Sequence, residues 1–377
     1  VNIYFDTMHL YYLAQYLPVA RELEARGHSC TFVVYRSNEA ELQKVLEQVI
    51  AEEKLTCLWV ESAAAARECY LDNRPTWLIT GNRMDNLDAI HAYSKTALMQ
   101  HGIGPKACYY DVSASQTSLR FVEGPHRLQR LQEQFPGATF IDSGYAKLDP
   151  LVRGELHGFD LAELGLDPRK PTLLYAPTFY PSSIECLPAD FPAQIAGCNL
   201  LVKPHFFTYI KSAYRKQRKR LQQWDTYSNV YVAKLSQHSL LQFMANADIL
   251  ISDASSALFE FIALDKPAIW CDFYKLRWSY RGIFKFRFNK RLDSDLKYFG
   301  EVATRVSAPT DLLAAIKLNL EKPNHMRPQR LAYTEKMVGT VDGNCSIRIA
   351  DQLEANCNMN SRDNSATDTA TKKSTLG

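Results

Sequence analysis

"ADILISDASSALFEFIALDKPAIWC", residues 247–271, holds a strand, a turn, a helix and a second strand in one run. "DILIS" is short and apolar, "SSALFEFIAL" sets Leu258, Phe259, Ile262 and Ala263 on one helical face, and "PAIWC" is apolar again. A strand that returns through a helix to the same sheet makes a parallel pair. The alternation extends upstream through "TLLYAP" (172–177), "NLLVKP" (199–204) and "VYVAK" (230–234). A separate series fills the first half: "NIYF", "CTFVVY", "LTCLWV", "TWLIT", "TALMQ" and "ATFIDSG", with helical stretches between and Gly27 at a helix C-cap position. Between the series, residues 148–171 are rich in Pro, Gly and charge. The expected fold is α/β, with two Rossmann-like domains facing a cleft, residues 1–150 and 151–354, and a polar disordered tail over 355–377.

Composition narrows the function classes. The 377 residues are 46% hydrophobic and 23% charged, which suits a globular chain with ample core. A net charge of +3 gives no reason to expect a nucleic-acid partner. The nine cysteines are scattered without a C-x-x-C pair, so neither a disulfide framework nor a zinc site is expected. No apolar run approaches the roughly 18 residues of a membrane span. The opening "VNIYF" reads as a strand rather than a signal peptide, and the expected location is cytoplasmic.

Ligands of open α/β sheets sit beyond the carboxyl ends of the strands, and unusual residues gather there. Asp253, Ser255 and Ser256 follow "DILIS" at a helix start. Capping needs one hydroxyl, whereas an acid and two hydroxyls at a helix N-terminus also suit a phosphate. Lys203 and His205 follow "NLLV", two apart in an extended segment, so both can reach one anion. "HGIGPK" puts His101 at the head of a turn with Gly102, Gly104 and Lys106, where an imidazole can serve as general base. Thr178 in "YAPT" is a weaker hydroxyl candidate, and a plain turn explains it as well. Two basic stretches stand apart. "KSAYRKQRKR" (211–220) reads as the wet face of a helix. In 274–291, Arg281, Lys285 and Arg287 mix with alternating Phe, as in an edge strand or a surface for an acidic acceptor or anionic membrane.

Taken together, "HGIGPK", "YAPT", Lys203-Pro204-His205, "SDASSALFEFIALDKP" (252–267) and "DGN" (342–344) resemble the CDP-glycerol glycerophosphotransferase family, the teichoic-acid-type polymerases and primases with a GT-B fold. The resemblance runs over about residues 95–350, in order. It departs at Phe206, where the family has proline, and at "TFY" (178–180), where Thr-Trp-Arg loses its cation. It implies transfer of glycerol phosphate from CDP-glycerol, or a related CDP-alditol, to an acceptor hydroxyl with release of CMP. The acceptor would be a hydroxylated glycan, a lipid-linked molecule or a polyol phosphate. His101 and His205 would be catalytic, and Lys203, Asp253, Ser255, Ser256 and Thr178 would hold the donor phosphates. The first domain would face the acceptor and the second the nucleotide donor, at the inner face of the cell membrane. No tightly bound cofactor is implied, and a divalent cation is compatible with a diphosphate donor. The competing readings are a GT-B glycosyltransferase or UDP-sugar 2-epimerase-like enzyme, and a non-catalytic module that binds nucleotide or polyanion.

Overall fold

A computed structural model describes residues 1–100, 102, 103, 108–275 and 299–357. The first half forms seven parallel strands: β1 (Asn2–Thr7), β2 (Ser29–Tyr35), β3 (Cys57–Val60), β4 (Trp77–Thr80), β5 (Lys95–Met99), β6 (Leu119–Val122) and β7 (Phe140–Asp142). Their order is β3-β2-β1-β4-β5-β6-β7. The second half forms six, β8 (Thr172–Ala176), β9 (Asn199–Val202), β10 (Val230–Val232), β11 (Ile249–Ser252), β12 (Ala268–Cys271) and β13 (Thr304–Val306), ordered β10-β9-β8-β11-β12-β13. Each sheet therefore reverses its winding once, between β1 and β4 and between β8 and β11. Such switch points open a crevice at the carboxyl edge. The central strands of both sheets are buried on two faces, which explains why most of them read as unbroken apolar runs.

Local chemistry sets the boundaries. The helix Leu13–Ala25 stops at Gly27, whose φ of +84° lets its N–H reach Glu24 O (2.9 Å) while His28 N–H reaches Leu23 O (3.0 Å). Two strands lay hidden in the sequence because each carries an arginine. Arg120 of β6 is buried, and its guanidinium donates to the carbonyls of Ser113, Ser115 and Thr117. Arg305 of β13 sits on the sheet edge, donates to Asp272 and lies over the Trp270 ring.

The chain crosses between sheets twice. After β7 it passes through Gly144 (φ +78°), where an added Cβ would stand 2.7 Å from Cys345 Sγ. It returns after the helix Arg327–Met337. The helix over 345–357 then lies on the first sheet, where Ile349, Ala350 and Leu353 join the core and Trp77 Nε1 donates to Leu353 O (3.1 Å). Buried Asp149 caps that helix, accepting from Cys345 N (3.2 Å) and from Ser346 N and Oγ (2.7 Å each). Residues 345–354 thus pack with the first domain rather than the second, and residues 355–357 are helical rather than tail. The "DGN" segment forms the turn before this helix, with Asp342 paired to Arg348 (2.9 Å). No described helix is long and apolar enough to cross a membrane.

Candidate active site in the interdomain cleft

A cleft of about 380 Å³ lies at the carboxyl edge of the second sheet, walled by loops after β8, β9, β10 and β11 and roofed by Leu10, Tyr11, Ala14 and Leu42 of the first domain. Tyr11 and Phe206 approach across it with ring centroids 5.7 Å apart.

Lys203 follows β9 and extends its ladder, its N–H donating to Tyr175 O (2.9 Å). Its side chain lines the cleft at 9% exposure, and its ammonium has no hydrogen bond or ion pair among the described residues. Burial, and then the charge of Lys147, pull its pKa down to about 8. A cation held out of water is stabilised by an anion beside it. His205 caps the short helix Phe206–Ile210, Nδ1 accepting from Phe207 N (3.2 Å). That bond leaves the neutral ring with its proton on Nε2, so the imidazole is arranged to donate.

Ser255 and Ser256 both line the cleft. Ser255 stands at the N-cap of the helix Ser256–Ile262 yet makes no capping bond. Its Oγ lies 3.0 Å from Ser252 Oγ, which in turn donates to Ala176 O (2.7 Å). Simple capping therefore does not account for the hydroxyl pair.

Asp253 and Thr178 differ from expectation. Asp253 is buried off the cleft. Its Oδ2 accepts from Thr178 N (2.8 Å) and its Oδ1 from Ser183 N (3.1 Å), tying the loop after β8 to the loop after β11. Burial raises its pKa to about 6 against those hydrogen bonds. Thr178 lines the cleft, but its hydroxyl is turned inward to Pro181 O and Asp253 (3.2 Å). Both shape the cleft wall through these bonds.

Three side chains entered the site without a sequence signal. Lys147, in the turn after β7, lines the cleft and pairs with Glu260 Oε2 (2.7 Å), while Tyr145 OH donates to Glu260 Oε1 (3.3 Å). Glu260 is buried on the Ser256–Ile262 helix, so this ion pair joins the two domains. His238 also lines the cleft, and burial followed by the charge of Lys203 lowers its pKa to about 4, leaving it neutral. Among the described residues no group of three or more His, Cys, Asp or Glu could hold a metal ion.

β5 ends at Met99, and Ile103 is buried in the second domain's core cluster beside Tyr145 and Leu148; Gly102 is buried as well. His101, Gly104 and Lys106 lie outside the described residues, as do Arg281, Lys285 and Arg287.

Two switch-point sheets facing a cleft define a GT-B-type architecture. The chain belongs to the CDP-Glycerol:Poly(glycerophosphate) glycerophosphotransferase family, whose profile matches residues 105–355. It is 30% identical over 116 residues to the teichoic acid glycerol-phosphate primase of Bacillus subtilis (strain 168), a match covering 30% of this chain and 29% of that protein. The wall teichoic acid polymerase TagF shares its fold at a TM-score of 0.66 and 15% identity, over 95% of this chain and 89% of that one. S. aureus MnaA, in a co-structure with UDP, superposes with a TM-score of 0.66 at 12% identity, over 95% and 97% of the two chains.

Proposed function

We propose that the chain transfers glycerol phosphate from CDP-glycerol, or a related CDP-alditol, to an acceptor hydroxyl in cell-surface polymer synthesis, releasing CMP. The observation that carries this reading is the unpaired Lys203 ammonium in a cleft shared with His205, Ser255 and Ser256. The diphosphate lies against these groups. His101 takes the proton of the acceptor hydroxyl as its oxygen attacks the glycerol-bearing phosphorus. The new P–O bond forms as the P–O bond to CMP breaks, and the electron pair leaves with CMP. Lys203 and the Nε2–H of His205 offset the charge that gathers on the leaving phosphate. Lys147 adds the cation that Tyr180 does not supply, held in place by Glu260. Phosphoryl transfer asks mainly for such positioning and charge stabilisation. The acceptor hydroxyl enters the cleft on the side of the first-domain roof, and the enzyme works peripherally at the inner face of the membrane.

The test is CMP release from CDP-glycerol by purified protein with hydroxylated acceptors, beside Lys203→Met and His101→Ala. Release by wild type and a loss of at least about a hundredfold in each folded variant is expected. Turnover of UDP-sugars without CMP release would overturn the reading in favour of sugar transfer or epimerisation.

A further inference from the structure

The basic segment 211–220 is not absorbed by the donor site. No Asp or Glu occurs between Asp190 and Asp225, while Lys211, Arg215, Lys216, Arg218, Lys219 and Arg220 fall within that interval. None of the six forms an ion pair among the described residues. Lys211, Arg215, Lys216 and Lys219 are exposed, whereas Gln217, Leu221 and Trp224 form the buried face of the helix Arg215–Trp224. Arg215 and Lys219 stand one turn apart on the helix, roughly 6 Å along its axis, with Lys216 next to Arg215, and Lys211 lies in extended backbone ahead of the turn Ser212–Tyr214.

The strip is anchored to the cleft. Lys211 Nζ stands 3.8 Å over the Phe207 ring, which lines the cleft, and its charge acts on His9 of the first domain. Gln217 Nε2 donates to Phe179 O (3.0 Å), and Arg218 Nη1 donates to Thr208 O and Lys211 O (2.8 Å each). The helix is thus fixed to two segments that wall the cleft. The other exposed positions are Ser212, Ala213, Gln222 and Gln223, which offer nothing large and apolar for insertion into lipid.

We propose that the strip of Lys211, Arg215, Lys216 and Lys219 is a subsite for the anionic acceptor chain, a flexible polymer with one phosphodiester per repeat, running from the cleft along this helix. The inference rests on the transferase reading above and gives its acceptor chain a place on the surface. Exposed cations without a counter-charge among the described residues suit a chain of phosphates, which binds by counterion release without sequence-specific contacts.

The experiment compares wild type with Arg215→Gln/Lys216→Gln/Lys219→Gln, whose three side chains are exposed and outside the donor cleft. Three probes are used: a labelled glycerol-phosphate decamer, CDP-glycerol, and vesicles containing phosphatidylglycerol. The decamer should bind wild type with strong salt dependence. In the variant its affinity should fall at least about tenfold at low salt and the log–log salt slope by about 2, with CDP-glycerol affinity unchanged. Equal decamer binding by both proteins would overturn the subsite. Loss of vesicle binding with decamer binding intact would overturn it too and make the strip a membrane surface. Failure of wild type to bind CDP-glycerol would count against the donor reading alone, since the decamer comparison still judges the strip.

Discussion

Lys203 makes donor binding a proton-uptake reaction. In the free protein its pKa is about 8, pulled down by burial and by Lys147. A diphosphate beside it stabilises the charged form and returns the pKa toward the ordinary 10.5 or above. The diphosphate diester itself gains no proton between pH 7 and 9. Each donor bound should therefore take up about 0.1 proton at pH 7, about 0.5 at pH 8 and about 0.9 at pH 9, and Kd should rise toward tenfold per pH unit above about 8. Calorimetric titration with CDP-glycerol in two buffers of different ionisation enthalpy reads the uptake directly. Lys203→Arg is the control, because a guanidinium stays charged throughout and binds without uptake. Wild type that binds the donor at pH 8–9 with no uptake, or uptake that persists in Lys203→Arg, would refute the reasoning.

Lys147→Met should raise the donor KM about tenfold and move the alkaline limb of the Lys203 profile upward, since the repelling charge is gone; a pH-KM series showing an unmoved limb would count against contact between the two charges. Asp253→Ala leaves the N–H groups of Thr178 and Ser183 without their acceptor, so thermal unfolding should show a loss of about 2–4 kcal/mol, with kcat reduced as well. Leu353→Ala removes core contacts of the terminal helix and should cost about 2–5 kcal/mol, read by denaturant unfolding followed by far-UV circular dichroism.

Legibility followed locality. The parallel strands and the placement of Lys203, His205, Ser255 and Ser256 after them were readable because each is a short-range pattern: an apolar run, then polar residues at its carboxyl end. β6 and β13 were not, since Arg120 and Arg305 interrupt their runs and are satisfied by carbonyls and an acid that only the fold brings near. Asp253 reads as a phosphate-loop acid, but its partners are N–H groups 70 and 75 residues away. Lys147 and Glu260, 113 residues apart, are ordinary surface-type residues in sequence, and only the crossing between domains makes them a buried pair. The neighbour of the terminal helix is not legible either, because an amphipathic face does not name what it covers.

That helix also sets the order in which the protein can be finished. A ribosome releases the strands of the first sheet early, yet the layer over Trp77 comes from residues 345–357, after the whole second domain has been made. Until then the first domain waits with an apolar surface uncovered, and Asp149 waits for the backbone of Cys345 and Ser346. Cotranslational folding of the first domain therefore reaches completion only once residues 345–357 have left the tunnel, and expression of residues 1–150 alone should yield a chaperone-bound or aggregated product.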